Sequence, residues 1–165
     1  IATCVGYIAV GWVVQRHEDT LARVIGLASF MPLIAAMGGN VGSQTATVIV
    51  RGMATGELKG MGFLEVLAKE VLVGAALGLL YGLGAALTAH LAYGARFGWR
   101  FSWVVGAGMF ASMTTASAMG TVEPYLFHRL KIDPATATGP LITLFADLVS
   151  TATYLTVAAW LFGVL

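Results

Sequence analysis

Charged residues are scarce in this chain of 165 residues. Only 10% are Asp, Glu, Lys or Arg, against roughly 25% in a typical soluble domain, while 58% are hydrophobic. The formal net charge is +1, so the chain has no strong field of one sign that would attract nucleic acid. Nucleic-acid binding is therefore excluded, and the composition does not favour a soluble globular core.

The residues that usually carry metal or covalent chemistry are also few. Cys4 is the single cysteine, which excludes an internal disulfide and any CxxC cluster. The three histidines, His17, His90 and His128, lack metal-ligand spacing. No GxSxG or other nucleophile motif occurs in the chain. We predict that the protein is not an enzyme.

Long uncharged runs are the main feature that is present. A transmembrane helix needs ~20 largely apolar residues, and several runs approach or exceed this length. The five predicted segments run from Ile1 to about Gln15, from Thr20 to about Val50, from Val71 to about Tyr93, from Phe101 to about Val122, and onward from Asp133-Pro134. The first is short for a span, and we expect it to be truncated at its start. The predicted fold class is all-α, a polytopic membrane protein with five transmembrane helices.

The second segment contains a polar, glycine-rich stretch. Pro32 and the glycines between Gly38 and Gly42 are predicted to bend or break this helix. Irregular backbone at membrane depth is tolerated only where protein or water satisfies its polar groups. The side chains that can share one helical stripe here are Asn40, Ser43, Gln44 and Thr47. The alternative is a kinked helix whose glycines admit a close neighbour.

Asp147 is the only charged residue between Asp133 and the C-terminus. A carboxylate in hydrocarbon costs at least ~2.5 kcal/mol, so it usually faces a partner, a cavity or an ion path. With a helix start at Pro134, Asp147 lies roughly 20 Å along the fifth helix. The hydroxyl residues on its face are Thr143, Ser150, Thr151 and Tyr154. This pattern favours a water-lined path; the alternative is a buried aspartate that is protonated or bonded to a neighbouring helix.

Glu123 is a second acid close to a predicted helix end. It is a candidate for a second acid of the ion path. Because the helix end is near, a position at the membrane surface explains it equally well.

Gly74, Gly78 and Gly82 recur every four residues in the third segment. Small residues at this spacing let two membrane helices pack backbone to backbone. We interpret the three glycines as a helix-packing face.

Two blocks of sequence resemble the membrane domain of the MgtE family of magnesium channels and transporters. The first, PLIAAMGGNVGSQTAT from Pro32 to Thr47 followed by RGMATGE from Arg51, resembles the family's proline, GGN-G-Q-A-T and R-A-G pattern. The second, LKIDPATATGP from Leu130 followed by Asp147, resembles the DPA-GP segment and pore aspartate. The order and spacing of the two blocks are more specific than composition.

The resemblance implies a homodimer of five-helix protomers with a pore along the dimer axis, lined by the second and fifth helices. It implies that Asp147 from both chains forms the central ion site and that Asp133 matches an acid at the cytoplasmic mouth, where family members bind a further Mg²⁺. The residues that the resemblance implies to shape the pore are Asn40, Ser43, Gln44 and Thr47. From the hydroxyl face around Asp147, Thr143 and Thr151 are further pore-lining candidates. Ser43 stands where the family often has asparagine.

The expected function is a channel or transporter that passes hydrated Mg²⁺, and other divalent cations are further candidates. Residues 1–165 are expected to form a single MgtE-like transmembrane domain without the cytosolic regulatory domain that family members usually carry. The expected location is the bilayer of a bacterial inner membrane. Two alternatives remain: a proton- or sodium-coupled exchanger in which Asp147 titrates, and a non-conducting subunit that packs on a partner through the face of Gly74, Gly78 and Gly82.

Overall fold

The computed structural model describes residues 2–132 and 140–163, and all regular secondary structure in these ranges is helical. The helices before the first long connection are α1 (Ala2–Arg16), α2 (Glu18–Arg23), the 3₁₀ segment Ile25–Phe30 and α3 (Met31–Thr55). A helical stretch, Phe63–Arg129, is interrupted at Gly98 (φ 70°, ψ −174°), so its arms are α4 (63–97) and α5 (99–129). The last helix is α6 (Pro140–Phe162). The predicted all-α fold is confirmed, and the described residues contain five helices of at least 15 residues, namely α1, α3, α4, α5 and α6.

Most of these helices are long enough to cross a bilayer. The stretches that are sufficiently long and apolar are Ile25–Thr55, Phe63–Arg129 and Leu141–Phe162. The second has 67 residues, so each of its arms exceeds the ~20 residues of one span. Helix α1 has 15 residues and is shorter than a full span. The lengths indicate an integral membrane protein.

The break in the second predicted segment lies earlier than expected. Helix α2 ends at Arg23, Val24 after it has a non-helical backbone (φ −136°, ψ 72°), and the 3₁₀ segment then precedes α3. Pro32 lies in the first turn of α3, where its missing N–H has no intrahelical partner to lose. Helix α3 then runs without interruption through Gly38 to Gly42, so the prediction that these glycines break it is wrong.

Helices α4 and α5 form an antiparallel hairpin held by glycines. A methyl group added at Gly82 would lie 2.7 Å from the carbonyl oxygen of Gly106, and one at Gly78 would lie 2.9 Å from that of Phe110. One at Gly74 would lie 2.5 Å from Cβ of Ser117. The predicted helix-packing face is therefore occupied by α5 of the same chain. A partner protein cannot use it while this hairpin is formed.

Helix α6 packs against α1, α3 and α5 and joins them into one bundle. Tyr154 of α6 is fully buried, and its hydroxyl donates a hydrogen bond of 3.1 Å to the carbonyl oxygen of Leu27 in the 3₁₀ segment. Around it lies a cluster of buried apolar side chains that includes Phe30, Phe101 and Met109. This core fixes α6 at one height against α3.

All four tryptophans lie at one end of the bundle, which we call the tryptophan end. Trp99 and Trp103 are in the first turns of α5, Trp160 is in the last turn of α6, and Trp12 is near the end of α1. Each is more than half exposed. The start of α5 is tied to the end of α6 by Arg100, which donates a 2.6 Å hydrogen bond to the carbonyl oxygen of Leu161. Exposed tryptophans gathered at one end of a helical bundle are typical of a membrane interface.

Candidate functional site

The carboxyl group of Asp147 lies directly against the backbone of α3. A methyl group added at Gly39 would contact Oδ1 of Asp147, and Cγ2 of Thr143 would be 3.6 Å away. A residue larger than glycine at this position would push the carboxyl group aside. Asp147 is half-buried and lies seven residues after Pro140, so it is about 10 Å along the described part of α6. The local sequence thus places an acid at the contact between α3 and α6.

The same small-residue packing continues on both sides of this contact. Methyl groups added at Gly38 and Gly42 would meet Cβ of Ser150 at 2.6 Å and Cβ of Ala146 at 2.7 Å. Helix α5 contacts α3 at the same level, because a methyl group at Gly120 would meet the carbonyl of Gly42. The glycine-rich stretch therefore brings α5 and α6 close to a continuous α3. The close approach of a neighbouring helix agrees with that part of the alternative considered for this stretch.

One face of α3 next to this contact carries polar side chains that the described part of the chain leaves exposed or only half-covered. We call this face the polar stripe; its members are Asn40, Ser43, Gln44 and Thr47. Asn40, Gln44 and Thr47 are exposed, and Ser43 is half-buried. The hydroxyl of Ser43 donates to the carbonyl of Asn40 at 3.2 Å, and that of Thr47 donates to the carbonyl of Ser43 at 2.8 Å. The predicted stripe is therefore a continuous helical surface.

The predicted hydroxyl face of α6 is divided by the packing. Thr143 is half-buried beside Asp147, whereas Thr151 is only 3% exposed. Ser150 and Tyr154 are fully buried against α3, α5 and the 3₁₀ segment. Helical periodicity identified residues near Asp147 but did not separate those that face outward from those in the core.

Glu123 is buried in the structure, whereas its place in the sequence also allowed a position at the membrane surface. It is 6% exposed, and neither carboxyl oxygen has a hydrogen-bond partner among the described residues. The surface interpretation is wrong because the face of α5 that carries Gly120 and Glu123 is turned into the bundle. Glu123 follows Gly120 by three residues, a spacing that places both on the same face of a helix. This spacing is the sequence feature that could have predicted the burial of Glu123.

The charge of Asp147 is not balanced by an ion pair among the described residues. In residues 2–132 and 140–163 the one ion pair is Lys69–Glu65 at 2.8 Å, so Asp147 has no basic partner there. The same ranges contain no group of three or more His, Cys, Asp or Glu side chains that could hold a metal. Asp133, the predicted acid at the mouth, lies outside the described residues. Within the described part of one chain, a cation at Asp147 would have a single carboxylate ligand.

Comparison with known proteins places this arrangement in a family. Residues 31–157 match the family model MgtE, described as a divalent cation transporter. This match includes the polar stripe, the glycine contacts of α3 and Asp147.

Curated relatives agree with the family model. The chain is 30% identical over 148 residues to the magnesium transporter MgtE of Bacillus subtilis, and 33% identical over 146 residues to that of Thermus thermophilus. It is 32% identical over 147 residues to that of Enterococcus faecalis. These alignments cover 90%, 88% and 88% of this chain and 32% of each relative, so the chain spans about a third of their length. The chain belongs to the MgtE family of divalent cation transporters.

Proposed function

We propose that the protein conducts hydrated Mg²⁺ through a pore on the axis of a homodimer in a bacterial inner membrane. Asp147 of each protomer provides the central ion-binding carboxylate. The polar stripe of α3, together with Thr143, lines the path next to it. Other divalent cations of similar charge are further candidates for transport.

The observation that carries this proposal is the polar stripe beside Asp147. Asn40, Gln44 and Thr47 are exposed on a helix that crosses the bilayer, and Asp147 is half-buried at the same level. Polar and ionisable groups in contact with hydrocarbon are costly, so such a face requires water or protein as its neighbour. A second copy of the chain, with water between the copies, supplies both.

The chemistry of Mg²⁺ fits a site made in this way. Mg²⁺ dehydrates reluctantly and is usually held by one or two carboxylates while it keeps several waters. Two Asp147 side chains facing each other would provide two carboxylates and leave the water shell largely intact. Because the facing carboxylates repel each other, a cation between them is favoured. Retention of water keeps binding weak enough for release, which conduction requires.

Thr151 is the pore-lining candidate that the described packing favours least. Its side chain is buried within one protomer, so it reaches a path at the dimer axis only if α6 moves relative to its neighbours. Thr143 is half-buried one turn before Asp147 and needs no such movement. We therefore assign Thr143 the closer contact with the hydrated ion.

The test is Mg²⁺ uptake by proteoliposomes that contain a trapped fluorescent magnesium indicator. Asp147→Asn keeps the size of the side chain and removes its charge. We expect uptake to fall by at least about tenfold, since one charge-assisted contact contributes ~1.5–3 kcal/mol and 1.4 kcal/mol corresponds to tenfold. Glu65→Gln, an exposed acid on α4, is the matched control and is expected to keep wild-type uptake.

Undiminished uptake in a folded Asp147→Asn protein contradicts the proposal. Imposed pH and sodium gradients separate conduction from coupled exchange. Uptake that follows the magnesium gradient alone supports conduction, whereas uptake driven by a proton or sodium gradient at zero magnesium gradient indicates an exchanger.

A further inference from the structure

Glu123 is a buried acid that the proposed ion path does not use. It lies on the face of α5 that is turned into the bundle, one turn beyond Gly120, where α5 touches α3. The polar stripe and the exposed half of Asp147 mark a different surface, which one protomer leaves uncovered. Glu123 is 6% exposed, so water does not reach its carboxyl group freely.

The hydroxyl groups in the turns before Glu123 are already bound elsewhere. Thr121 donates to the carbonyl of Ser117 at 3.1 Å, and Ser117 donates to the carbonyl of Glu70 at 2.7 Å. Thr45 of α3 pairs with the hydroxyl of Ser117 at 3.3 Å. No described side chain or backbone N–H donates to Oε1 or Oε2 of Glu123. An ionised Glu123 would therefore have no hydrogen-bond donor within the described part of the chain.

Positive charge does not compensate Glu123 either. The titratable and charged groups on α5, on the helices packed against it and on the adjoining connections are, toward this end of the bundle, Tyr125, His128 and Arg129 of α5 with Lys131 after it, Arg51 of α3, Glu57 and Lys59 of the connection 56–62, Glu65, Lys69 and Glu70 of α4, and Asp147 of α6. Lys69 is paired with Glu65, and the other basic groups in this set are exposed. None of the basic groups in this set makes an ion pair with Glu123. Burying an unpaired carboxylate is costly, whereas the neutral acid avoids most of this cost.

Pro124 supplies a complementary feature of the same turn. Proline has no N–H, so the carbonyl of Gly120 lacks the donor that an uninterrupted helix would provide. A protonated carboxyl group carries one O–H donor, which a carboxylate does not have. The neutral form of Glu123 is therefore the form that carries a donor, in a segment of α5 where Pro124 removes one.

From these contacts we propose that Glu123 is a proton-binding site, and that its bound proton helps to hold α5 against α3 and α6. Loss of the proton leaves an unpaired charge inside the bundle and weakens this packing. The ligand is the proton itself, and the inference does not depend on ion conduction through the dimer axis.

The direct test is the infrared spectrum of the purified protein in lipid as a function of pH. The C=O stretching band of a neutral carboxylic acid is separate from the bands of carboxylates. We expect the wild-type protein to show this band at neutral pH and to lose it when the pH is raised. Glu123→Gln is expected to lack the band, whereas Asp147→Asn and the exposed-acid control Glu65→Gln are expected to keep a band of wild-type size.

Isotope labelling keeps the test valid if Glu123→Gln does not fold. Wild-type protein whose glutamates carry ¹³C in the side-chain carboxyl group is expected to show the acid band at a lower frequency. The inference is overturned if the wild-type protein has no acid band at neutral pH, if the band does not shift on glutamate labelling, or if it persists in folded Glu123→Gln.

Thermal unfolding provides a second readout. In our proposal, loss of the Glu123 proton weakens the packing of α5 against α3 and α6, so the stability of the folded protein falls as the pH is raised. We expect the melting temperature of the wild-type protein to decrease more steeply than that of Glu123→Gln between about pH 5 and about pH 9. Equal slopes for the two proteins contradict the inference.

Discussion

The position of the Asp147 carboxyl group depends on the absence of one side chain on α3. Oδ1 of Asp147 occupies the space in which Cβ of any other residue at position 39 would lie. Gly39 therefore acts by leaving room for the carboxyl group, and its backbone stays helical. The glycine sets how far the charge stands out from α6, and hence how far it reaches into the surface beside the polar stripe.

Gly39→Ala is expected to reduce Mg²⁺ uptake while leaving the charge of the site unchanged. The added methyl group displaces the Asp147 carboxyl group, and overpacking of this kind typically costs about 1–3 kcal/mol. Uptake by proteoliposomes and thermal unfolding measure the two effects. Gly11→Ala, where no atom lies within 4 Å of the added methyl group, is the control and is expected to keep wild-type uptake. Wild-type uptake in Gly39→Ala would show that the contact does not position the carboxyl group.

Single residues differed in how well the sequence predicted them. Asp147 stood out because it is the only charge in a long apolar run, and the structure places it beside the predicted stripe of α3. Ser150 and Tyr154 share its helical neighbourhood but lie in the core. The spacing of residues along one helix predicts which side chains share a face. The positions of the neighbouring helices decide which face is buried. The same limit explains why the burial of Glu123 was not predicted.

At the scale of helices, close backbone approach determines the packing of the α4–α5 hairpin. Gly82 and Gly106 face each other so closely that a methyl group on either would lie within 3 Å of the other's carbonyl oxygen. Without a hydrophobic driving force between membrane helices, such contact supplies much of the association energy. The hairpin therefore depends on residues that have no side chain.

Gly82→Ala is expected to destabilise the protein by about 1–3 kcal/mol, because the methyl group meets a backbone oxygen that cannot move alone. Gly84→Ala, two residues away with no atom within 4 Å, is the matched control. It is expected to stabilise the helix by roughly 0.5–1 kcal/mol, since alanine loses less backbone entropy than glycine. Unfolding in mild detergent measures both. A Gly82→Ala protein as stable as Gly84→Ala would contradict the assigned contact.

The presence of the long helices was predictable from the length of the hydrophobic runs, but the interruption before α3 was not. Pro32 and the glycine-rich stretch were expected to bend or break the second segment, yet Pro32 lies in the first turn of α3 and the glycines lie inside this continuous helix. The helical backbone is interrupted at Val24, and no feature of the sequence predicted an interruption there. Glycine permits both a bend and a close neighbour, and only the presence of α5 and α6 decides between them.

At the scale of the whole molecule, the described part of the bundle leaves the polar stripe of α3 largely exposed. The lipid-facing side of α4 is rich in exposed leucines, as expected for a helix in contact with acyl chains. The polar stripe of α3 has the opposite character at the same membrane depth. A monomer in lipid would expose amide groups to hydrocarbon, so the molecule as described is one part of a larger assembly in our proposal.

Cross-linking tests this assembly. The single cysteine allows a Cys4→Ser background, in which Gln44→Cys places one thiol on the polar stripe. We expect a short bis-maleimide reagent to convert this variant into a covalent dimer in membranes. Leu80→Cys on the lipid-facing side of α4, 66% exposed in the chain, is the control and is expected to remain monomeric. Equal dimer yields from both variants, or none from Gln44→Cys, contradict the dimer axis.

The gathering of Trp12, Trp99, Trp103 and Trp160 at one end has a consequence for how the protein responds to its host lipid. Indole rings prefer the headgroup level, so they hold the height of the bundle relative to one leaflet. When acyl chains are shortened or lengthened, the mismatch is then borne by the opposite leaflet, at the ends of α3 and α5. A change in bilayer thickness therefore alters the lipid contacts of the half of the protein that contains Glu123 and the start of α6. The half at the tryptophan end keeps its position relative to its leaflet.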